Sequence, residues 1–293
     1  MTDTQNEVFK TPVNKIRLFE HGAPGSQNLK LTRKYYTEDM PDGRVKHIVQ
    51  NITDPDIVPY IPDGIGNSTD RQRIPAVLII PGGAFRRLVY NFEGEDVAKW
   101  LNSMGIAAFV LECRLPSDEH DNAEDVPLID AMRAMRVIRG RAQEFGIDEA
   151  KIGVMGFSAG GFMAALLSTA YESDVYADYK YKDEYDKLSA RPDFAVCSYP
   201  VISIDDCIEA GKRYMSEEQV LERISDSKAK ILHKYNPDKL VRPDMPPVFI
   251  CETDDDRTTL SENSVGFYMA ARKAGVSAEL HIFRTGGHGY GCG

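Results

Sequence analysis

The rhythm of apolar and polar positions along the chain changes at Ala76. Two continuous apolar runs follow, Ala76–Ile80 and Ile106–Leu111, and such runs are typical of strands that are covered on both faces. Between them, apolar residues that include Val97 and Leu101 recur three and four positions apart, which is the spacing of one helix face. This part of the chain therefore predicts a strand, a helix and a second strand.

The same alternation continues toward the end of the chain. Strands that alternate with helices of this length pair in parallel through right-handed crossovers, so the pattern predicts an α/β fold with a mostly parallel, doubly wound sheet flanked by helices. We expect residues 1–293 to form a single domain. The further predicted strands are Ile152–Met155, Phe194–Tyr199, Val248–Cys251 and Ala278–Phe283, and the further predicted helices cover residues 128–145, 159–170 and 262–274.

The part of the chain before Ala76 has a more polar pattern. Residues 1–28 are rich in turn formers, and we expect them to be loosely held. Leu29–Tyr36 and Val45–Ile52 have strand character, whereas the stretch Asp54–Asp70 is rich in Pro, Gly and Asp and predicts a loop.

Two later stretches interrupt the alternation of strands and helices. Residues 171–191 are acidic and rich in tyrosine, and residues 204–241 contain a helical pattern. Insertions that leave the carboxyl edge of such a sheet lie where this fold class binds ligands. We therefore predict that both stretches are small cap insertions over the functional site.

A serine between glycines follows the predicted strand Ile152–Met155. The segment Gly156–Gly160 matches G-x-S-x-G, and a helix rich in small residues comes directly after it. This strand, turn and helix arrangement is the context that a nucleophilic serine requires, because the turn is strained and tight. The pattern predicts Ser158 as a nucleophile, and the alternative is a glycine-rich helix start with a capping serine.

A histidine with glycine neighbours follows the last predicted strand. His288 lies in Gly286–Gly289, on a loop that can bring an imidazole over the edge of the sheet, and we predict that it is the general base. The alternative is a surface or metal-binding histidine, but no second ligand stands at the usual metal spacing. The orienting acid should precede it in the chain, and Asp254, Asp255 and Asp256 all satisfy that order.

A glycine pair follows the first buried strand. Pro81–Phe85 contains Gly83 and Ala84, and a tight loop at a strand end can point backbone N–H groups at a developing oxyanion. We predict an oxyanion hole formed by the N–H groups of Gly83, Ala84 and Ala159. The alternative is that the glycine pair forms an ordinary turn.

Charge and cysteine content restrict the partners and the compartment. The chain carries 35 Lys and Arg against 45 Asp and Glu, a net charge of −10, which argues against nucleic acid or an anionic membrane as the main partner. Its five cysteines are odd in number and include no CxxC pair, as expected for reduced thiols. No apolar run reaches the length of a membrane span, and the first residues do not resemble a signal peptide. We expect a cytoplasmic protein, or a secreted one if a leader has been removed.

These motifs resemble those of α/β-hydrolase-fold serine esterases related to acetyl-xylan, feruloyl and hormone-sensitive-lipase-like esterases. In such esterases the acid lies shortly before an Asn-Ser pair, and aligning on Asn263–Ser264 implies that Asp256 is the catalytic carboxylate. Two positions depart from the pattern: Ala84 stands where a third glycine is common, and Arg257–Leu260 lacks the usual Val-Pro. The resemblance is carried by the segments Pro81–Phe85, Glu93–Ala98, Gly156–Gly161, Ser189–Phe194, Tyr199–Ser203 and Glu279–Gly289.

The resemblance implies hydrolysis of short-chain acyl esters, acetyl esters above all, through an acyl-enzyme and without a metal or cofactor. The expected substrate is a small-molecule or carbohydrate ester, and a homodimer is compatible with the resemblance although no sequence feature requires one. Two alternatives stay open: a peptidase or amidase of the same fold, and a catalytically inactive binding protein on this scaffold.

Overall fold

The computed structural model describes residue 9 and residues 12–65, 73–213, 216, 218–219 and 229–292. Part of the second predicted cap insertion, including Val220, Leu221 and Ile224, lies outside the described residues. Within the described ranges, no helix combines the length and the apolar character needed to cross a bilayer.

An eight-stranded sheet forms the centre of the molecule, in the order β1-β4-β7-β5-β8-β9-β10-β11. All strands from β7 to β11 in this order pair in parallel, while β4 and β1 extend one edge in antiparallel pairing. The predicted α/β fold with a mostly parallel, doubly wound sheet is confirmed. The strands are β1 Ile16–Arg17, β4 Asp56–Tyr60, β5 Ile74–Ile80, β7 Ala107–Glu112, β8 Ile147–Phe157, β9 Ala195–Ser198, β10 Val248–Thr253 and β11 Ala278–Phe283.

A second, three-stranded sheet lies beside the first. It consists of β2 (Lys34–Asp39), β3 (Val45–Gln50) and β6 (Leu88–Val89), all antiparallel. The strand predicted at Leu29–Tyr36 thus begins and ends a few residues later than expected. The pairing of β3 with β6 attaches the N-terminal hairpin to the loop that follows β5, which carries the predicted oxyanion donors.

Two predictions for the N-terminal part are wrong. Strand β4 lies inside the predicted loop Asp54–Asp70. Its polar first residue, Asp56, is buried and is paired with Arg33 at 2.5 Å. In the stretch expected to be loosely held, Leu18 and Phe19 belong to the hydrophobic core. Composition suggested a solvated loop in both cases, and contacts with distant parts of the chain decided otherwise.

Helices cover the faces of the large sheet. The predicted helix over residues 128–145 is two helices, because the chain turns at Arg141. Helix α4 is almost entirely buried, in keeping with its small and apolar residues. The helices are α1 Asp96–Ser103, α2 Val126–Gly140, α3 Ala142–Phe145, α4 Ala159–Ala170, α5 Ile204–Lys212, α6 Ala229–Lys234 and α7 Ser261–Lys273, with a π-helix at Asn91–Glu95 and 3₁₀ turns at Glu184–Lys187 and Pro237–Lys239.

The tyrosine-rich insertion, residues 171–191, lies along helix α2. Arg133 of α2 donates hydrogen bonds to Asp183, and Arg139 donates to the carbonyl oxygens of Ser189 and Arg191 at 3.2 and 2.6 Å. Helix α4 starts at the carboxyl end of β8, and the chain must next enter β9 at its amino end. The insertion therefore lies toward the amino edge of the sheet, which differs from the predicted cap over the site.

The second insertion, residues 204–241, begins at the edge of the sheet where a cap was predicted. It leaves the carboxyl end of β9, and its described part contacts the loop before α2 through Lys234 and Tyr235, both of which donate to Asp125. This loop also follows the carboxyl end of a strand, β7. The described part of the insertion thus adjoins the carboxyl edge.

Candidate active site

Ser158 lies on a strained turn between β8 and α4. Its backbone angles are φ 53° and ψ −117°, a conformation that non-glycine residues rarely adopt. The neighbouring glycines have no room for a side chain: a carbon added at Gly156 would lie 2.0 Å from the carbonyl oxygen of Gly160, and one added at Gly160 would lie 2.0 Å from that of Ile80. The turn therefore requires glycine on both sides and fixes the direction of the Ser158 hydroxyl.

His288 connects Ser158 to Asp256. Its Nε2 lies 2.9 Å from the Ser158 Oγ, and its Nδ1 lies 2.6 Å from an Asp256 carboxylate oxygen. The imidazole stands on the loop after β11, where Gly287 and Gly289 have φ values of 65° and 78°. The Asp256 side chain is fully buried, while that of His288 remains 21% exposed. Three residues from separate parts of the chain thus form one line of hydrogen bonds.

The loop after β10 holds Asp256 in its charged form. One carboxylate oxygen accepts hydrogen bonds from the N–H groups of Thr258 and Thr259 at 2.7 and 3.0 Å, and the other accepts from the Thr259 hydroxyl at 3.0 Å. Burial favours a higher pKa for Asp256, but the hydrogen bond and positive charge offered by His288, together with these N–H groups, hold the pKa below its ordinary value. Asp256 is therefore an anion that can orient the imidazole and stabilise its protonated form.

The three neighbouring aspartates occupy different environments. Asp254 and Asp255 are exposed, whereas Asp256 is buried. Asp255 accepts hydrogen bonds from the N–H groups of Gly286 and Gly287 at 2.9 and 2.8 Å. Besides facing the solvent, Asp255 thus anchors the loop that carries His288.

The predicted oxyanion donors lie on two elements that meet at Ser158. Gly83 and Ala84 have φ values of 138° and 56°, and among the described residues no backbone hydrogen bond engages their N–H groups. Ala159 is the first residue of α4, where N–H groups have no acceptor within the helix. A side-chain carbon at Gly82 would lie 3.0 Å from the Ser158 Cβ, so the glycine loop packs directly against the serine turn.

A narrow pocket adjoins these donors. It has a volume of about 10 Å³ and a mostly apolar lining, to which Gly83, Ala159, Leu115 and Met163 contribute. This is room for roughly one water-sized group. The described residues contain no cluster of three or more metal-ligating side chains.

Four further side chains belong to this site but were not among the predicted residues. Thr259 and Glu252 surround Asp256, while Glu93 and Tyr199 join the glycine loop to the histidine loop. Glu93 belongs to a segment that carried the family resemblance, and so does Tyr199, which was the one available signal. Their contacts link residues that are distant in the chain, and local patterns do not report such contacts.

The sheet order, the turn at Ser158 and the position of the site at the carboxyl ends of β5, β8, β10 and β11 define an α/β-hydrolase fold. The family model BD-FAE matches residues 65–270. The chain therefore belongs to the BD-FAE family, and the predicted relationship to acetylxylan-type esterases of this fold is confirmed.

Two curated relatives each match about three quarters of the chain. An acetylxylan esterase from Xylanibacter ruminicola is 31% identical over 220 residues, which is 74% of this chain and 41% of that protein. Endo-1,4-beta-xylanase B from Butyrivibrio fibrisolvens is 31% identical over 221 residues, which is 75% of this chain and 33% of that protein. The chain thus spans less than half the length of these relatives.

Solved structures support the same fold. The acetyl ester-xyloside bifunctional hydrolase from Caldicellulosiruptor lactoaceticus superposes with a TM-score of 0.63 at 36% identity, covering 81% of this chain and 80% of that one. A thermophilic esterase from Thermogutta terrifontis, Est2, gives a TM-score of 0.62 at 24% identity, covering 91% and 87%. At that lower identity the likeness concerns the fold alone.

Proposed function

We propose that this protein is a serine esterase that hydrolyses carboxylic esters through an acyl-enzyme. The observation that carries the proposal is the line of hydrogen bonds from Ser158 through His288 to Asp256, at 2.9 and 2.6 Å. Relatives in its family include an acetylxylan esterase. The tight turn that holds Ser158 is the arrangement in which a serine hydroxyl becomes a nucleophile.

The mechanism follows from the geometry. His288 Nε2 accepts the proton of Ser158 as Oγ attacks the ester carbonyl carbon, and Asp256 stabilises the resulting imidazolium. The N–H groups of Gly83, Ala84 and Ala159 stabilise the negative charge that develops on the carbonyl oxygen. The imidazolium then protonates the departing alcohol. In the second half, His288 takes a proton from water, hydroxide attacks the acyl-serine, and the carboxylic acid leaves as Ser158 regains its proton.

The narrow pocket supports a preference for short acyl groups. Because Gly83 and Ala159 both line it, an acyl group whose carbonyl oxygen contacts these N–H groups places its first carbon at the pocket. A methyl group is close in size to the one water-sized group for which the pocket has room, while each further methylene requires the lining to move. We therefore assign acetyl esters as the preferred substrates.

Carbohydrate esters are the proposed alcohol class. Two relatives are an acetylxylan esterase and an acetyl ester-xyloside bifunctional hydrolase. We propose that this chain also acts on acetylated xylan or xylosides. Release of acetate from acetylated xylo-oligosaccharides, measured against release from p-nitrophenyl acetate, tests this step.

The first experiment compares hydrolysis of p-nitrophenyl acetate, butyrate and octanoate by the wild type and by Ser158→Ala. We expect acetate to react fastest and Ser158→Ala to lose more than about 10³-fold in kcat. Ser168→Ala is the matched control, since Ser168 is a buried serine of helix α4 that donates to the Ala164 carbonyl at 2.7 Å. The proposal is contradicted if the wild type hydrolyses none of the three esters, or if both variants lose the same activity.

A further inference from the structure

Glu93 is a buried carboxylate next to the proposed oxyanion loop, Pro81–Phe85. It lies in the π-helix Asn91–Glu95 and is 5% exposed. One of its oxygens accepts a hydrogen bond from the Gly82 N–H at 2.8 Å, and the other accepts from the Tyr199 hydroxyl at 3.0 Å. An acidic group without such partners is costly to bury. Both oxygens of Glu93 are therefore used to hold other parts of the site.

The contact with Gly82 fixes the loop that carries the oxyanion donors. Gly82 directly precedes Gly83 and Ala84, and its carbonyl oxygen accepts a hydrogen bond from the Val89 N–H at 2.9 Å. Ala84 and Phe85 both have positive φ values, 56° and 59°. Strained backbone of this kind persists only where the surroundings hold it. Glu93 supplies one of the contacts that hold this loop.

Tyr199 extends the same line of contacts to the loop that carries His288. Its hydroxyl donates to Glu93 and accepts a hydrogen bond from the Gly291 N–H at 3.0 Å. Its ring also meets the His288 ring edge-on, with centroids 5.0 Å apart. Tyr199 itself has a φ of 37°, which is a rare conformation for a bulky residue. This strained tyrosine thus contacts both loops at once.

The two loops also meet at the π-helix. A side-chain carbon at Gly291 would lie 2.7 Å from the carbonyl oxygen of Phe92, and one at Gly82 would lie 2.7 Å from the Glu93 carboxylate. Glycine at both positions lets the two loops approach the same short helix. If Glu93 and Tyr199 only formed a hydrogen bond with each other in the core, glycine would not be needed at both Gly82 and Gly291.

We propose that Glu93 and Tyr199 are positioning residues. They hold the oxyanion loop and the loop that carries His288 in the correct position relative to Ser158. This inference rests on the proposed esterase function. Neither residue takes a proton from the substrate or contacts the reacting carbonyl. They act through Gly82 on the oxyanion donors and through Gly291 and the ring contact on His288.

The test measures kcat and KM for p-nitrophenyl acetate, and the burst amplitude that counts competent sites, in Glu93→Ala, Glu93→Gln and Tyr199→Phe. We expect Glu93→Ala to lower kcat roughly 10- to 100-fold with KM changed less than about threefold. Glu93→Gln should recover part of that loss, because its amide oxygen can still accept from Gly82. Glu95→Ala is the control, since Glu95 lies in the same π-helix but pairs with Lys99 at 2.8 Å near the surface.

A double-mutant cycle separates a shared role from two independent ones. If Glu93 and Tyr199 act as one unit, Glu93→Gln combined with Tyr199→Phe loses little more than the worse single variant. Losses that appear only as reduced burst amplitude, with normal turnover per competent site, would mean a folding role and overturn the proposal. So would a Tyr199→Phe variant within twofold of the wild type in kcat.

Labelling by a fluorophosphonate distinguishes failure of this inference from failure of the esterase assignment. A wild type that is labelled at Ser158 yet hydrolyses no ester contradicts the esterase assignment, and labelling rates of the variants then replace kcat in the same comparison. We expect Glu93→Ala to be labelled at least about tenfold more slowly than Glu95→Ala. Equal labelling rates would refute the positioning role.

Discussion

Asp255 and Asp256 are adjacent in the sequence but act on opposite sides of one loop. Asp256 is buried and contacts the His288 imidazole at 2.6 Å. Asp255 faces the solvent and accepts from the backbone of Gly286 and Gly287. One carboxylate therefore acts on the ring and the other on the backbone that carries it.

This division predicts different losses for two conservative variants. Asp256→Asn should lower kcat by about 10³-fold or more, because the amide cannot stabilise the imidazolium and favours the wrong tautomer. Asp255→Asn keeps an oxygen that accepts from Gly286 and Gly287, so its loss should stay below about tenfold. Initial rates with p-nitrophenyl acetate check the pair. Similar losses in the two variants would contradict the assignment of Asp256 as the orienting acid.

The narrow pocket makes a prediction about acyl selectivity. Met163 lines it, so Met163→Ala should enlarge it and raise the ratio of kcat/KM for butyrate over acetate by roughly tenfold or more. Both measurements use the same p-nitrophenyl esters. Met132→Ala is the control, since Met132 is fully buried in α2 but does not line the pocket. An unchanged ratio in Met163→Ala would show that the acyl group binds elsewhere.

Sequence patterns found the residues whose chemistry depends on local backbone. Ser158 and His288 stand between glycines, and those glycines mark the tight turn and the flexible loop in the sequence itself. Glu93 and Tyr199 lack such a mark. They lie 106 positions apart and meet only in the folded chain. Residues at the centre of the proposed site could thus be predicted, while the side chains around them could not.

The same difference holds for secondary-structure elements. Helix α4 (Ala159–Ala170) and strand β11 (Ala278–Phe283) have the predicted bounds, because α4 is a run of small and apolar residues and β11 alternates apolar with polar residues. Strand β4 was missed, since its Asp56 is polar and becomes buried only through Arg33. Long apolar periodicity is a local property, whereas the burial of a paired charge is a property of the fold.

The close approach of α4 to the sheet can be tested at one glycine. A side-chain carbon at Gly160 would lie 2.0 Å from the carbonyl oxygen of Ile80, so Gly160→Ala should push α4 away from β5. We expect a loss of about 1–3 kcal/mol in the free energy of unfolding, together with reduced activity.

Gly266→Ala is the matched control for that substitution. Gly266 is an exposed position of helix α7 with no atom within 4 Å of an added side-chain carbon. Alanine there should stabilise the helix by about 0.5–1 kcal/mol. Urea unfolding of both variants checks the two signs. A Gly160→Ala protein as stable as the wild type would mean that the turn can move aside.

At the scale of the whole molecule, one edge of the sheet collects the chemistry. The proposed oxyanion loop follows β5, the proposed nucleophile follows β8, the proposed acid follows β10 and the proposed base follows β11. Because these strands are parallel, their carboxyl ends meet at the same edge and bring together residues from distant parts of the chain. The insertion that begins after β9, which we predict to be a cap, also leaves from this edge. The candidate site therefore lies at the carboxyl edge of the sheet, where this fold class binds its ligands.

A buried acid beside the site makes the stability of the whole molecule depend on pH. Burial, together with the negative charge of Asp256, raises the pKa of Glu252 from 4.5 to about 8. Between about pH 5 and pH 8 the folded protein retains a proton that the unfolded chain has lost, so stability falls as pH rises through this window.

Glu252→Gln removes that proton equilibrium. The variant should therefore gain stability relative to the wild type as pH increases, by at most about 1.4 kcal/mol per pH unit, and the gain should level off above pH 8. Urea unfolding at intervals from pH 5 to pH 9 measures the difference, with Glu95→Gln as a control whose side chain pairs with Lys99 near the surface. A difference between Glu252→Gln and the wild type that stays constant over this range would show that Glu252 is already ionised in the folded protein at pH 5.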